Sequence, residues 1–259
     1  MNPPVPLETP VVERLLEVVD PTRDIAVRIH TSPDPDALGA GAGLSVLLSS
    51  RVGYPVPVLY EGDLERVDTE AMARDLCLNL RQAGRDEDPP QLVYTDCQPG
   101  SSNVCAPGGL VVGIVDHHPW NGRCEAPFLD IRPGLGAAST LVALYLQESK
   151  IDVPPRVAAA LLYGIRTDSR HLCSLASTPD VDAFAWLHAR ADREALGWIE
   201  RNTIRLAQLP VFRQAFEDLV LAGETAFVRL RNVERFTWVP HVAELLLAVA
   251  EISFVAAWT

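Results

Sequence analysis

The sequence predicts an α/β protein with a doubly wound, mainly parallel sheet, followed by a helical linker and a small partial α/β unit. Two observations lead to this fold class. Apolar, β-rich runs alternate with helix-like segments up to about residue 170, as they do when helices connect parallel strands. The runs are also almost uniformly apolar, which is typical of strands that are buried on both faces of a sheet.

The predicted elements follow in order along the chain. After a short amphipathic helix at 11–19, strand-like runs are predicted at 24–30, 56–62, 91–97, 108–120 and 126–132. Helices are predicted at 37–53, 63–80, 136–150, 154–168, 180–200 and 209–223. A final strand, helix and strand are predicted at 224–230, 241–250 and 251–259. We therefore predict a catalytic domain over 1–180, a helical linker over 181–215 and a partial α/β domain over 216–259.

The composition is that of a globular protein with an acidic surface. The chain has 259 residues, 48% of them hydrophobic, and a formal net charge of −12. Negative charge disfavours long nucleic acids, whose binding depends on Lys and Arg contacts to phosphates, but it is compatible with a short anionic substrate at a cation site. Because we find no signal-peptide pattern and no apolar run of membrane-spanning length, we expect a cytoplasmic protein without a membrane partner. Five cysteines without CxxC spacing predict reduced thiols.

Four segments end an apolar element with side chains of the kind that bind metals. In chain order they are His30-x-x-x-Asp34-x-Asp36, Tyr94-Thr95-Asp96, Asp116-His117-His118 and Gly164-Ile165-Arg166-Thr167-Asp168. The first three directly follow predicted strands, and the carboxyl ends of strands in an open α/β sheet converge on one crevice. Each segment alone has a structural explanation, such as a helix cap or a turn, but four in order favour one functional site.

The residue types in these segments favour a pair of divalent cations. Carboxylates and imidazoles without thiolates suit Mn²⁺, Mg²⁺, Fe²⁺ or Zn²⁺. Several carboxylates in one crevice would repel each other unless cations lay between them. Two cations about 3.5–4 Å apart can activate a water and stabilise an in-line displacement at phosphorus. The sequence therefore predicts a two-metal site for cleaving phosphoesters.

The order of the motifs resembles the DHH phosphoesterase superfamily, and within it the branch of nano-RNA hydrolases and adenosine 3′,5′-bisphosphate phosphatases. The resemblance spans residues 25 to about 172 and includes all four motifs. It implies that His30 and Asp34 hold one metal and that Asp96 bridges both. The ligands implied for the second metal are Asp36, His117 and Asp168.

The resemblance also implies roles around the metals. His118 is expected to face the substrate and to act in catalysis with Asp96, contacting the phosphoryl group or protonating the leaving oxygen. Asp116 is expected to orient a metal-binding histidine. The two ions are expected to be Mn²⁺, with Mg²⁺ as a substitute, and the reaction to be hydrolysis by a water activated between them.

Several residues are candidate substrate contacts. The segment GAAST at 136–140 matches a family segment whose hydroxyls and amides lie near the substrate phosphate, which makes Ser139 and Thr140 candidates; an N-cap by Ser139 is the alternative. Candidates for phosphate binding that flank the crevice are Arg132, Arg166, Arg170 and His171, with solvated surface residues as the alternative. The glycine-rich run at 39–43 does not match GxGxxG and predicts close helix packing instead.

The C-terminal part departs from the family pattern. It has no GGGH-type motif, and from residue 216 it resembles only the first half of the family's substrate-binding domain. The last motif continues as Thr167-Asp168-Ser169-Arg170 instead of the common TDTG. The apolar segment 251–258 reads as an edge strand that a second subunit would cover, which motivates a homodimer.

Three functions remain open at the level of sequence. The first is a Mn²⁺-dependent hydrolase of short phosphoesters, namely nano-RNA, linear dinucleotides or a 3′,5′-nucleoside bisphosphate. The second is a pyrophosphatase or polyphosphatase on the same metal core, which would release orthophosphate from pyrophosphate. The third is a non-catalytic, nucleotide-binding regulatory module, which would bind a cyclic dinucleotide without turnover.

Overall fold

The computed structural model describes residues 10–173, 175–201 and 203–259. They fall into two units: the first runs to Leu64 and resumes over Asp68–Arg201, and the second comprises Glu65–Val67 and the described residues after 202. The three-part division at 180 and 215 stays a prediction. Residues 1–9, where the sequence shows no signal-peptide pattern, lie outside the described residues.

A parallel sheet is the centre of the first unit. Among the described residues its strands are β1 (Ile25–Arg28), β2 (Val58–Tyr60), β3 (Leu80–Gln82), β4 (Gln91–Thr95), β5 (Leu110–Asp116) and β6 (Phe128–Ile131). They lie in the order β3-β2-β1-β4-β5-β6, and all five pairings are parallel. Strand order reverses between β1 and β4, so the predicted doubly wound, mainly parallel sheet is confirmed. The strand β3 was not predicted, because its three residues carry no apolar β pattern.

The helices before residue 202 contribute to one core on one face of this sheet. They are α1 (Val11–Glu17), α2 (Pro35–Val52), α3 (Val67–Asp75), α4 (Ala138–Ser149), α5 (Pro155–Asp168), α6 (Thr178–His188) and α7 (Arg193–Arg201). Strand residues alternate between the two faces, so that Val27 and Val93 join the helical core whereas Tyr94 joins a smaller core. The connections from β4 to β5 and from β5 to β6 cover that smaller core, with Val104 and Cys124, and both are loops.

Glycines allow α2 to approach α4 and α5 closely. A Cβ atom at Gly39 would lie 2.6 Å from the carbonyl oxygen of Ala160, and one at Gly43 would lie 2.5 Å from Cγ1 of Val142. Only a residue without a Cβ fits at such distances. The glycine-rich run of α2 therefore serves helix packing, as the sequence predicts, and it brings the first turn of α2 next to α4 and α5.

In the second unit, the described residues after 202 form a three-stranded sheet and two α-helices. The strands are β7 (Val220–Ala222), β8 (Thr225–Arg229) and β9 (Phe254–Trp258), and the helices are α8 (Leu209–Glu217) and α9 (Trp238–Leu247). The pair β7–β8 is antiparallel, whereas β8 and β9 are parallel and joined through α9. The strand β7 was missed, because its residues read as a continuation of the helix before it. Phe212, Trp238 and Val242 of the helices pack with Ala226 and Val228 of β8 in one buried apolar core.

The small sheet leaves one face exposed. Val220, Phe227, Phe254 and Trp258 are 61%, 38%, 60% and 46% exposed, and the strand register places them on the same face. A homodimer that covers this face stays a prediction. None of the described helices is long and apolar enough to cross a membrane.

A substitution at Gly164 tests the close contact of α5 with its neighbours. In Gly164→Ala the new Cβ would lie 2.5 Å from Ser139 Oγ and 2.9 Å from Asp36 Cα. We expect this overpacking to lower the free energy of unfolding by about 1–3 kcal/mol. The measurement is a denaturant titration of both proteins.

Gly197→Ala is the matched control, since Gly197 is also helical and its Cβ would meet nothing closer than Arg201 Nη2 at 3.7 Å. Alanine is favoured over glycine in helices by about 0.8–1 kcal/mol, so this variant should be more stable than wild type. If Gly164→Ala and Gly197→Ala were stabilised by the same amount, Gly164 would not be closely packed against Ser139 and Asp36.

Candidate metal centre

The side chains predicted as metal ligands lie together at the carboxyl end of the parallel sheet. In each of three groups the candidate ligand atoms all lie within 4.8 Å of one another. Two of the groups divide the six predicted ligands between them: His30, Asp34 and Asp96 in one, and Asp36, His117 and Asp168 in the other. A third, overlapping group joins Asp96 and His117 to Asp116 and His118. His30, Asp96 and His117 follow the strands β1, β4 and β5. Asp34 is the N-cap of α2, Asp36 lies in its first turn, and Asp168 ends α5. The motif resemblance implies the same partition, and metal binding by these six residues stays a prediction.

Asp96 lies between the two groups and presents one carboxylate oxygen to each. Its Oδ2 is 3.7 Å from His30 Nε2, and its Oδ1 is 3.3 Å from His117 Nε2. The backbone of Asp96 is left-handed, with φ of 56°, and its N–H donates to the carbonyl of Val115. Aspartate is one of the few side chains that adopt this conformation readily, and here it turns the chain sharply after β4. The turn aims the carboxylate between the two histidines.

Backbone carbonyls orient both histidines of the cluster. His30 Nδ1 is 3.0 Å from the carbonyl oxygen of Thr31, and His117 Nδ1 is 3.2 Å from that of Leu135. Each Nδ1–H therefore donates to a carbonyl, which leaves Nε2 as the nitrogen that faces the carboxylates. Metal-binding histidines are usually held in this way by a hydrogen bond at the second nitrogen.

The N-terminus of α4 holds Asp36. Its fully buried carboxylate accepts the N–H of Ala138 at Oδ2 (2.6 Å) and of Ser139 at Oδ1 (2.9 Å). The amides predicted to lie near a substrate phosphate thus bind a carboxylate of the protein, which the positive end of a helix favours. The predicted N-cap by Ser139 is wrong, because Ala137 occupies that position. Substrate contact by Ser139 and Thr140 stays a prediction; both residues are fully buried, and the hydroxyl of Thr140 donates to Asp180.

His118 is held by Asp116 and lies beside the ligand groups, with its Nδ1 3.7 Å from Asp96 Oδ1. Its Nδ1 is 2.9 Å from Asp116 Oδ1, the same oxygen accepts the His118 N–H at 3.1 Å, and Asp116 Oδ2 accepts from Gln98 Nε2 at 2.8 Å. Asp116 was expected to orient a metal-binding histidine; it orients His118 instead, because Leu135 already holds His117. This contact raises the pKa of His118. Gln98 was not predicted, since no sequence motif marks it.

A cavity of about 230 Å³ opens beside His118 and Asp96. Its other walls are Cys97, Gln98, Ser101, Asn103, Asp116 and Pro119. Most of these residues belong to the two loops that connect β4, β5 and β6. The cavity therefore places His118 between the carboxylate cluster and a space that can receive part of a small molecule.

Burial and mutual repulsion shift the pKa values of the cluster. Burial raises the pKa of Asp168, and the charges of Asp36, Asp34 and Asp96 raise it further. Burial also raises the pKa of Asp36, with the charge of Asp96 acting in the same direction. Burial alone would lower the pKa of His30, but Asp34 and Asp96 outweigh it and raise that pKa to about 11. In the absence of cations, the side chains of the cluster therefore retain protons at neutral pH.

The donor set fits divalent cations. Asp96 Oδ1 and His117 Nε2 are buried and have no hydrogen-bond partner in the part of the chain that the structure describes. Buried polar atoms without a partner are rare and costly, and one cation would satisfy both of these. Their separation of 3.3 Å is close to the roughly 3 Å between neighbouring ligands on an ion with bonds of about 2.1 Å. Oxygen and imidazole donors without thiolate suit Mn²⁺ and Mg²⁺.

The basic side chains predicted near the crevice differ in the hydrogen bonds and ion pairs that they form. Arg132 forms two hydrogen bonds with Asp130, and Arg166 pairs with Glu200 and donates to His171 Nδ1 at 3.0 Å. Arg170 and His171 are exposed in a left-handed turn directly after Asp168. Phosphate binding by Arg132, Arg170 or His171 stays a prediction. Arg170 and His171 are exposed, whereas Arg132 is already paired with Asp130.

Comparisons with known proteins agree with this architecture. No protein-family model matches the chain. An uncharacterised protein of Methanocaldococcus jannaschii is 28% identical over 232 residues, which are 88% of this chain and 48% of that protein. A probable manganese-dependent inorganic pyrophosphatase of Lactococcus lactis is 26% identical over 147 residues, or 54% of this chain and 46% of that protein. The chain spans about half the length of these curated relatives.

A solved structure shares the fold over nearly the whole chain. It is an exopolyphosphatase-related protein of Bacteroides fragilis, with a TM-score of 0.71 and 16% sequence identity. The match covers 93% of this chain and 77% of that one. At this identity the likeness is one of fold, and it supports the α/β architecture around the cluster.

The raised pKa values predict that Mn²⁺ binding releases protons. His30, with a pKa of about 11, is protonated at neutral pH and must lose its proton to become a ligand. Affinity for Mn²⁺ should therefore rise with pH from about 6 to about 8, by roughly tenfold per pH unit for each proton released. Calorimetric titrations in buffers of different ionisation enthalpy measure the number of protons.

His188→Gln is the control, because His188 is exposed on α6 and outside the cluster. This variant should release as many protons as wild type, whereas His30→Gln should release fewer. Binding without proton release in the wild-type protein would contradict the prediction.

Proposed function

We propose that the chain is a metal-dependent phosphohydrolase of the DHH superfamily that acts on short phosphorylated substrates with two divalent cations, preferably Mn²⁺. The observation that carries the proposal is the position of Asp96, whose two oxygens face two separate ligand sets. The order of the four motifs along the sequence supports the same assignment. The similarity to a probable manganese-dependent inorganic pyrophosphatase supports the reaction class.

The six clustered residues would hold the cations. His30 and Asp34 belong to one site, and Asp96 belongs to both. The second site has the ligands Asp36, His117 and Asp168. Bound there, the cations would supply an activated water and offset the negative charge of the phosphoryl oxygens.

His118 is the residue placed to exchange a proton with the leaving group. Asp116 fixes its Nδ1, so Nε2 is the nitrogen available to a substrate. The ring is half-exposed and lines the cavity next to Asp96. A histidine held by a carboxylate in this way can protonate a leaving oxygen, because one ring nitrogen is occupied and the other is free.

Two substrate classes fit this reaction. The first comprises nano-RNA, linear dinucleotides and 3′,5′-nucleoside bisphosphates, and the motif resemblance supports it. The second comprises pyrophosphate and polyphosphate, and the relative of Lactococcus lactis supports it. Incubation with Mn²⁺ distinguishes them, since a dinucleotide would yield nucleoside monophosphate and pyrophosphate would yield orthophosphate.

Loss of a shared ligand should abolish the activity. We expect Asp96→Asn and His117→Ala to lower kcat/KM by at least about a hundredfold, because even residues that only support metal ligands contribute up to that factor. The measurement is hydrolysis of each substrate class with Mn²⁺ and Mg²⁺. Asp24→Asn is the control, because Asp24 is exposed at the amino end of β1 and should leave activity unchanged.

Full activity in both Asp96→Asn and His117→Ala would contradict the proposed mechanism. Binding of nucleotides by the wild-type protein, with no turnover of any substrate in the panel, would instead support the non-catalytic regulatory module.

A change at His118 separates proton transfer from metal binding. His118→Ala should lower kcat by about a hundredfold to ten-thousandfold, the usual contribution of a general acid or base. Its affinity for Mn²⁺ should stay close to that of wild type, because Nδ1, the ring nitrogen near Asp96, is already hydrogen-bonded to Asp116. Asp116→Asn should show a smaller loss of kcat. A His118→Ala variant with wild-type kcat would remove this residue from the mechanism.

A further inference from the structure

Asp180 is a fully buried carboxylate near the start of α6, outside every sequence motif of the site. Its Oδ2 accepts the N–H of Gly136 at 2.9 Å and both the N–H and the hydroxyl of Ser177 at 2.6 Å. Its Oδ1 accepts the hydroxyl of Thr140 at 2.5 Å. Asp180 therefore anchors both ends of the segment 136–140 to the beginning of α6.

The anchored segment supports two of the clustered side chains. The carbonyl of Leu135, directly before Gly136, is 3.2 Å from His117 Nδ1. The N–H groups of Ala138 and Ser139 donate to the two oxygens of Asp36. All three hydrogen bonds come from backbone groups, so their geometry depends on where the segment lies and not on the rotamers of its own side chains.

The space around Gly136 shows how closely this segment approaches Asp180. A Cβ at position 136 would lie 3.1 Å from Asp180 Oδ2 and 2.8 Å from the carbonyl oxygen of Leu175. Glycine therefore lets the backbone N–H reach the buried carboxylate. Asp180 thus contacts the segment closely at Gly136 and again at Thr140.

The support is confined to one ligand set. Asp36 and His117 belong with Asp168, whereas His30, in the other set, is oriented by the carbonyl of Thr31. The hydrogen bonds of the segment 136–140 and of Leu135 therefore reach only one of the two groups.

We propose that Asp180 is a positioning residue that sets the affinity of the Asp36–His117–Asp168 site for its cation, without touching cation or substrate. The inference rests on the proposed function, because it requires that this ligand set hold an ion. It differs from the ordinary role of the Ser177–Asp180 capping box, which stabilises the start of α6 and favours neither metal site.

Asp180→Asn is the direct test. The amide keeps the size of the carboxylate but replaces one acceptor oxygen by a donor, so it cannot accept from Gly136, Ser177 and Thr140 together. The full chain is titrated with Mn²⁺ by calorimetry. We expect one of the two sites to weaken by about tenfold or more, the usual cost of losing a group that orients ligands, while the other changes by less than about twofold.

Electron paramagnetic resonance gives a second readout. At the lowest Mn²⁺ concentration that fills both sites of the wild-type chain, the spectrum should be that of spin-coupled ion pairs. At the same concentration Asp180→Asn should show isolated ions. A purely structural defect would lower the total amount of bound Mn²⁺ without this change from coupled to isolated ions.

Two further variants keep the test decisive even where Asp180→Asn does not fold. Thr140→Val removes one hydrogen bond between Asp180 and the segment, and it should weaken the same site to a smaller extent. Ser177→Ala is the matched control, because it removes a hydrogen bond to the same carboxylate but leaves Gly136 and Thr140 in contact with it. Its thermal stability should fall while both Mn²⁺ affinities stay at wild-type values.

Equal weakening of both sites, or no weakening of either, in Asp180→Asn and Thr140→Val would overturn the inference. So would a Ser177→Ala variant that reproduces the loss at one site. A wild-type chain that binds no Mn²⁺ would contradict the proposed function and remove this inference with it. If the wild-type chain binds Mn²⁺ at two sites but Asp180→Asn and Thr140→Val do not weaken one of them selectively, only this inference is contradicted.

Discussion

Repulsion between carboxylates that are held a few ångströms apart is the constraint on which the rest of this structure depends. Burial raises the pKa of Asp36 and Asp168, and their neighbouring carboxylates raise it further. The fold places specific partners against two carboxylates of the cluster: the first amides of α4 face Asp36, and two imidazoles lie against Asp96. Such a cluster is stable only with protons or cations between its members, which is why its geometry points to metals.

The glycines of α2 and α5 are part of the same arrangement. Gly39 and Gly43 bring α2 against its neighbours, and Gly164 leaves room for the backbone and carboxylate of Asp36. Helix packing and ligand position are therefore coupled. A methyl group added between these helices would move a ligand as well as disturb the core.

Most of the fold and the composition of the cluster could be predicted, because both depend on local patterns. Apolar runs mark buried strands, and polar residues at their ends converge when the strands are parallel. The supporting contacts could not be predicted, since they join residues far apart in the chain: Asp36 and Ser139 are 103 positions apart, and Gly136 and Asp180 are 44. Asp116 is expected from the sequence to orient a metal-binding histidine but holds His118, and the carbonyl of Leu135 that orients His117 is visible only in three dimensions.

The two faces of the sheet differ in how its strands are connected. Helices pack on one face and carry Asp36 and Asp168, whereas loops cross the other face and supply Ser101, Asn103 and Pro119 to the cavity. Loops tolerate insertions and substitutions far better than packed helices do. The walls of the cavity can therefore diverge during evolution while the carboxylates and histidines of the cluster stay intact, and under the proposed function one metal core would then serve different leaving groups.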